Sequence, residues 1–102
     1  MSTTPAVHDH VEKHRFELVE DGQVAYAAYV MEDGVLVFTH TVVPEAIGGR
    51  GLATVLVTAG LGAARERGLQ VTPRCPVFRA YMQRHPETHD LLSTEGRSLV
   101  GI

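Results

Sequence analysis

The chain has 102 residues, 44% hydrophobic and 21% charged, and nine Lys and Arg against twelve Asp and Glu give a net charge of −3. This is one domain with one modest core and a globular composition, which argues against a wholly disordered chain. The acidic balance argues against binding bulk nucleic acid, and the lone cysteine, Cys75, excludes an internal disulfide and a Cys-rich zinc site.

Residues 1–14 show no hydrophobic period and hold three of the six histidines. They are expected to form a flexible lead-in, without the basic start and apolar stretch of a signal peptide. His8, His10 and His14 match no closed metal site, so no metal is expected. From Phe16 the pattern changes. Phe16 and Leu18 alternate with polar residues, Gln23 to Glu32 is rich in Val, Tyr and Ala, and Val35 to Val43 is a β-branched, apolar run. Asp21-Gly22 and Asp33-Gly34 separate these runs. Asp-Gly tolerates positive φ at both residues, so a three-stranded antiparallel meander is expected. Its third strand, apolar throughout, should be central and covered on both faces. Tyr26 and Tyr29 fall on opposite faces and read as packing.

Pro44 ends that strand, and Gly48-Gly49-Arg50-Gly51 leads into residues 52–67, apolar at 52, 55, 56, 59 and 63 as in an amphipathic helix. Arg65 and Arg67 suit its last turn and Gly68 its C-terminal cap. Gly60 and Gly62 cost roughly 1 kcal/mol each inside a helix and are read as close packing against the sheet. Leu69 to Thr72 is a short strand, and Pro76 opens a second helix that reaches Arg84. Residues 87–92 make a further turn, on which His85 and His89 read as surface residues, and residues 93–102 are expected to fray. The order βββαβα is an α/β fold. The longest apolar stretch, Leu52 to Ala64, is too short and too interrupted to span a bilayer, so no membrane contact and a cytoplasmic location are expected.

The strand–glycine loop–helix segment from Val43 to Thr54 carries the clearest chemical signal. Glycines let the backbone turn sharply, and the helix N-terminus adds unpaired N–H groups and a partial positive charge, which suits a phosphate or pyrophosphate. Arg50 can add a charge-assisted contact. The segment is neither a P-loop nor a GxGxxG turn, and on its own it is equally consistent with a tight structural connection.

With its flanks, Gly49-Arg50-Gly51-Leu52-Ala53 resembles the acetyl-CoA loop of the GNAT N-acetyltransferase superfamily. The chain is similar to that superfamily's minimal, single-domain branch. The matching segments are Arg15-Phe16-Glu17-Leu18, Thr39-His40-Thr41-Val42-Val43-Pro44, the glycine loop, and Cys75-Pro76 followed by Tyr81 and His85-Pro86-Glu87. The resemblance implies a truncated GNAT-like fold over residues 15–92, flanked by tails 1–14 and 93–102. It implies that the amides of Gly49, Arg50, Gly51, Leu52, Ala53 and Thr54 hold the pyrophosphate of acetyl-CoA, while Val42 and Val43 pair with the pantetheine arm. The acetyl group would lie where the third strand and Leu69–Thr72 splay apart, in a shallow, open site. Two departures stand out: Gly48 replaces an Arg or Gln, and Val42 replaces a Glu that would serve as general base.

Cys75 precedes Pro76 at a helix N-terminus, which favours thiolate, so it can accept the acetyl group and pass it on. His40 faces the same way as Val42 and is the candidate general base, or the group that polarises Cys75. By resemblance, Tyr81 protonates the departing CoA thiolate. Phe78 and Arg79 can flank the cofactor's pantetheine or phosphates. The expected activity is acetyl-CoA-dependent N-acetyl transfer to an amine, directly or through acetyl-Cys75. A non-catalytic acyl-CoA-binding module is the alternative, and an interaction domain without ligand the third reading. A protein lysine, a polyamine or a small amine all suit an open site. The exposed edge strand Arg15–Glu20 leaves the oligomeric state open.

Overall fold

The computed structural model describes residues 5–102, so the first four residues of the expected lead-in lie outside the described residues. Five strands pair in chain order in one sheet: β1 (His8–His10), β2 (Arg15–Glu20), β3 (Gln23–Glu32), β4 (Val35–Val42) and β5 (Gln70–Pro73). The pairs β1–β2, β2–β3 and β3–β4 are antiparallel, and β5 lies parallel to β4. Helix α1 (Leu52–Arg67) connects β4 to β5, and α2 (Pro76–Arg84) and α3 (Thr94–Val100) follow. Both Asp-Gly turns have positive φ at both residues: 49° and 73° at Asp21 and Gly22, 50° and 78° at Asp33 and Gly34. That backbone twist matches the twist of the strands and fixes their register.

The ends of the chain differ from expectation. Instead of a lead-in, His8–His10 pairs with Arg15–Glu17 and covers that part of the β2 edge. Asp9 secures it, accepting hydrogen bonds from the Tyr29 hydroxyl at 2.6 Å and from Arg67 at 3.0 Å. Burial together with the Asp9 carboxylate pushes the Tyr29 phenol up to about 12. At the other end, residues 94–100 form α3 rather than a frayed tail. Gly96 packs so tightly there that a Cβ would stand 2.8 Å from the Val71 carbonyl oxygen. Hydrophobic periodicity reveals neither element, because a three-residue strand and a seven-residue helix are too short to show a period.

The core fills one face of the sheet. Phe16, Leu18, Ala25, Ala27, Tyr29, Leu36 and Phe38 meet Leu52, Leu56, Val57, Leu61 and Ala64 of α1, with Phe78 and Met82 of α2. Each large side chain so buried contributes roughly 1.5–3 kcal/mol. The buried side of α1 is rotated from the expected stripe, with Val55, Ala59 and Ala63 at its margins. Gly60 is the close approach: a Cβ would lie 2.9 Å from the Phe38 ring. Gly62 is not, since a Cβ there meets nothing within 4 Å. The third predicted strand is covered on both faces only at Leu36–Phe38; beyond it, His40 and Val42 are exposed.

Candidate functional site

The opening of β4 has a local cause. The last β4–β5 pair is Phe38 with Pro73, and the chain then turns into α2, the Cys75 N–H donating to the Phe38 carbonyl at 2.8 Å. His40 to Val42 continue paired with β3 alone. The two strands therefore part beyond Phe38.

Past β4 lies the glycine loop. Gly49 and Gly51 both have φ of 75°, the left-handed region that disfavours side chains, and a Cβ on either would meet nothing within 4 Å. Backbone conformation, not lack of room, calls for glycine here. No amide from Gly49 to Thr54 donates to an acceptor among the described residues; the next amide, Val55, donates to the Gly51 carbonyl at 3.3 Å. No side chain caps α1, and its first turn holds no acidic residue. A run of six N–H groups without acceptors at the positive end of a 16-residue helix has the donors and the partial charge that an anion requires.

Charged side chains do not complete that site as expected. Arg50 turns away and donates to Asp21 at 2.6 Å, with Glu20 at 3.5 Å, and its affinity for its proton rises for that reason. Arg79 donates to the backbone carbonyls of Arg74 at 2.9 Å and Pro73 at 3.4 Å, clasping the turn that leads into α2. Phe78 is wholly buried and stacked on Phe38, ring centres 4.0 Å apart, so it shapes the core beneath the site instead of flanking a ligand. Each correction depends on a partner remote in sequence, which local pattern does not reveal.

Cys75 stands at the N-terminus of α2 as expected, without a side-chain capping bond, and Pro76 takes the first helical position. The residue is 1% exposed, and its sulfur lies 3.3 Å from the Thr41 hydroxyl. Thr41 is level with Ala27, on the core face of the sheet, whereas His40 is level with Ala28 on the outer face. His40 therefore does not reach Cys75 through Thr41's face, and the expectation that it polarises that thiol is corrected. Val42 shares the outer face with His40, as the alternation predicts.

Around His40 the outer face carries polar groups that the sequence did not place beside it, among them Tyr26, expected only to pack. The Tyr26 ring meets the His40 ring edge-on at 6.0 Å, and the Arg15 guanidinium lies 4.1 Å above Tyr26. Arg15 pairs with Glu17, whose carboxyl is lowered by that partner even though burial opposes the shift. The register Glu17–Tyr26–Val42 places these residues in one row across three strands. His8 stands 3.6 Å from Glu17.

Tyr81 is half-buried and stacked on His85 at 3.9 Å. It lines a groove of about 230 Å³ with Thr58, Leu61 and Arg65 of α1, on the same side of the sheet as the glycine loop. His89 donates to the Met82 carbonyl at 2.7 Å, tying the turn after α2 to that helix. Among the described residues no helix is long and apolar enough to cross a membrane.

A family model described as GCN5-related N-acetyl-transferase matches residues 15–91. Among curated proteins, none matches the chain.

Proposed function

The chain belongs to the GCN5-related N-acetyltransferase family, and we propose that it transfers an acetyl group from acetyl-CoA to an amine arriving on the outer face of the sheet. One observation carries the reading: the bare amides from Gly49 to Thr54 at the N-terminus of α1 suit the cofactor's pyrophosphate. The pantetheine arm would run along β4 at Val42 and Val43, where that strand has left β5 behind.

In the reaction, the amine lone pair attacks the thioester carbonyl carbon, the C–N bond forms and the C–S bond breaks. His40 takes the proton that the amine nitrogen loses, and the electron pair leaves with sulfur. Tyr81, on the side of the glycine loop, gives its proton to the departing thiolate and recovers one through solvent. We assign direct attack rather than an acetyl-Cys75 intermediate, because the Cys75 sulfur is buried on the face opposite His40.

Calorimetric titration with acetyl-CoA tests the premise, and saturable binding at micromolar levels is the expected outcome. Turnover is then measured with a lysine-bearing peptide, spermidine and n-butylamine, for the native chain and Cys75→Ala. Direct attack predicts that Cys75→Ala keeps most of its turnover. Loss of turnover with retained affinity would establish the cysteine route instead. Affinity without turnover on any amine would mark a binding module, for which the diverted Arg50 and Val42 in place of a carboxylate are the motivating features.

A further inference from the structure

β4 carries a bulge: Tyr29 is level with Phe38 but Ala28 is level with His40, so Thr39 is the extra residue. Its hydroxyl oxygen lies 3.4 Å from the Ala28 carbonyl oxygen and 3.1 Å from His40 Nδ1. A threonine hydroxyl has one hydrogen to donate, and a carbonyl oxygen can only accept. Both contacts are hydrogen bonds only if Thr39 donates to Ala28 and accepts from a protonated Nδ1 of His40. The opposite assignment sets lone pairs of two oxygens against each other. With the hydrogen on Nδ1, the neutral ring keeps its lone pair on Nε2. His40 is exposed, and Nε2 has no partner among the described residues.

We infer that Thr39 is a positioning residue that holds His40 in its Nδ1–H form, so that Nε2 is the proton acceptor for an amine on the outer face. The catalytic consequence rests on the proposed acetyl transfer; the tautomer does not. An unconstrained neutral histidine side chain favours the Nε2–H form, so the bond to Thr39 supplies a preference the ring lacks by itself. It also restricts rotation of the ring, which leaves the acceptor nitrogen in one direction.

The test uses the full chain labelled with ¹⁵N at about pH 8.5, about two units above the ordinary histidine value. The imidazole nitrogen shifts of His40 are compared in the native chain, Thr39→Val and Thr39→Ser, with acetyl-transfer rates on the three amines. The native chain and Thr39→Ser are expected to show Nδ1–H, and Thr39→Val mostly Nε2–H. In Thr39→Val, kcat is expected to fall roughly three- to ten-fold with KM for acetyl-CoA unchanged. A native His40 in the Nε2–H form, or no change in Thr39→Val, overturns the assignment. A changed tautomer with unchanged kcat overturns the positioning role. If the native chain shows Nδ1–H yet acetylates none of the amines, the transfer reading fails while the tautomer assignment stands.

Discussion

At the start of α3, the Ser93 hydroxyl accepts the Gly96 amide at 3.0 Å and Glu95 places a carboxylate in the first turn. At the start of α1, Gly51 offers no side chain and the first turn holds no acid. The 7-residue α3 satisfies its own N-terminus, while the 16-residue α1 leaves its N-terminus open. A helix that needs only to be stable draws its acceptor and its negative charge from the chain. α1 is held instead by its buried face, from Leu52 to Ala64, and does without a cap. Bare amides at an exposed helix start leave both roles unfilled by the described residues.

Closing α1 in the manner of α3 is the strongest way to break this contrast. Thr54→Glu puts a carboxylate in the first turn, and it should weaken acetyl-CoA binding by roughly ten-fold or more, about 1.4 kcal/mol, with Tm unchanged or slightly raised. Calorimetry and a thermal melt together check it; undiminished affinity would mean the cofactor does not use this helix end.

The reverse change, opening α3, acts on stability. Ser93→Ala removes the cap and the hydrogen-bond partner of the Thr72 hydroxyl, so urea unfolding should show a loss of about 1–2 kcal/mol with acetyl-CoA affinity intact. A smaller effect is expected from Gly51→Ala, which forces a side chain into the left-handed region while leaving the amides in place. About 1 kcal/mol of stability should be lost, more than is lost in binding free energy. The smallest change sharpens the role of charge. Glu20→Gln with Asp21→Asn removes both charges that hold Arg50 away from the loop, and acetyl-CoA should bind about two-fold more tightly, an effect that higher salt suppresses. Unchanged affinity would place Arg50 outside the phosphate site.

Much of the fold was legible because its cause is local. Asp-Gly turns, Pro76 at a first helical position and Gly68 closing α1 with φ of 66° all follow from which backbone angles a residue tolerates. The glycine loop was legible for the same reason, and it is the part of the site on which the functional reading stands. The bulge at Thr39 was not, because an inserted residue breaks the alternation by which strand faces are read. His40 and Val42 nevertheless share a face, since both lie beyond the insertion.

By itself, then, the sequence determined the turns, most of the strands, the two longer helices and the glycine loop, all features set within a few residues of one another. Only the tertiary structure decided where the side chains around that loop are committed. Arg50 is held by Asp21, Phe78 by the Phe38 ring, Arg79 by the carbonyls before α2, and Cys75 and His40 stand on opposite faces of one sheet. The physical reason is that a charge or a ring acts on whatever lies within a few ångströms, and chain folding brings partners from distant parts of the sequence to that distance.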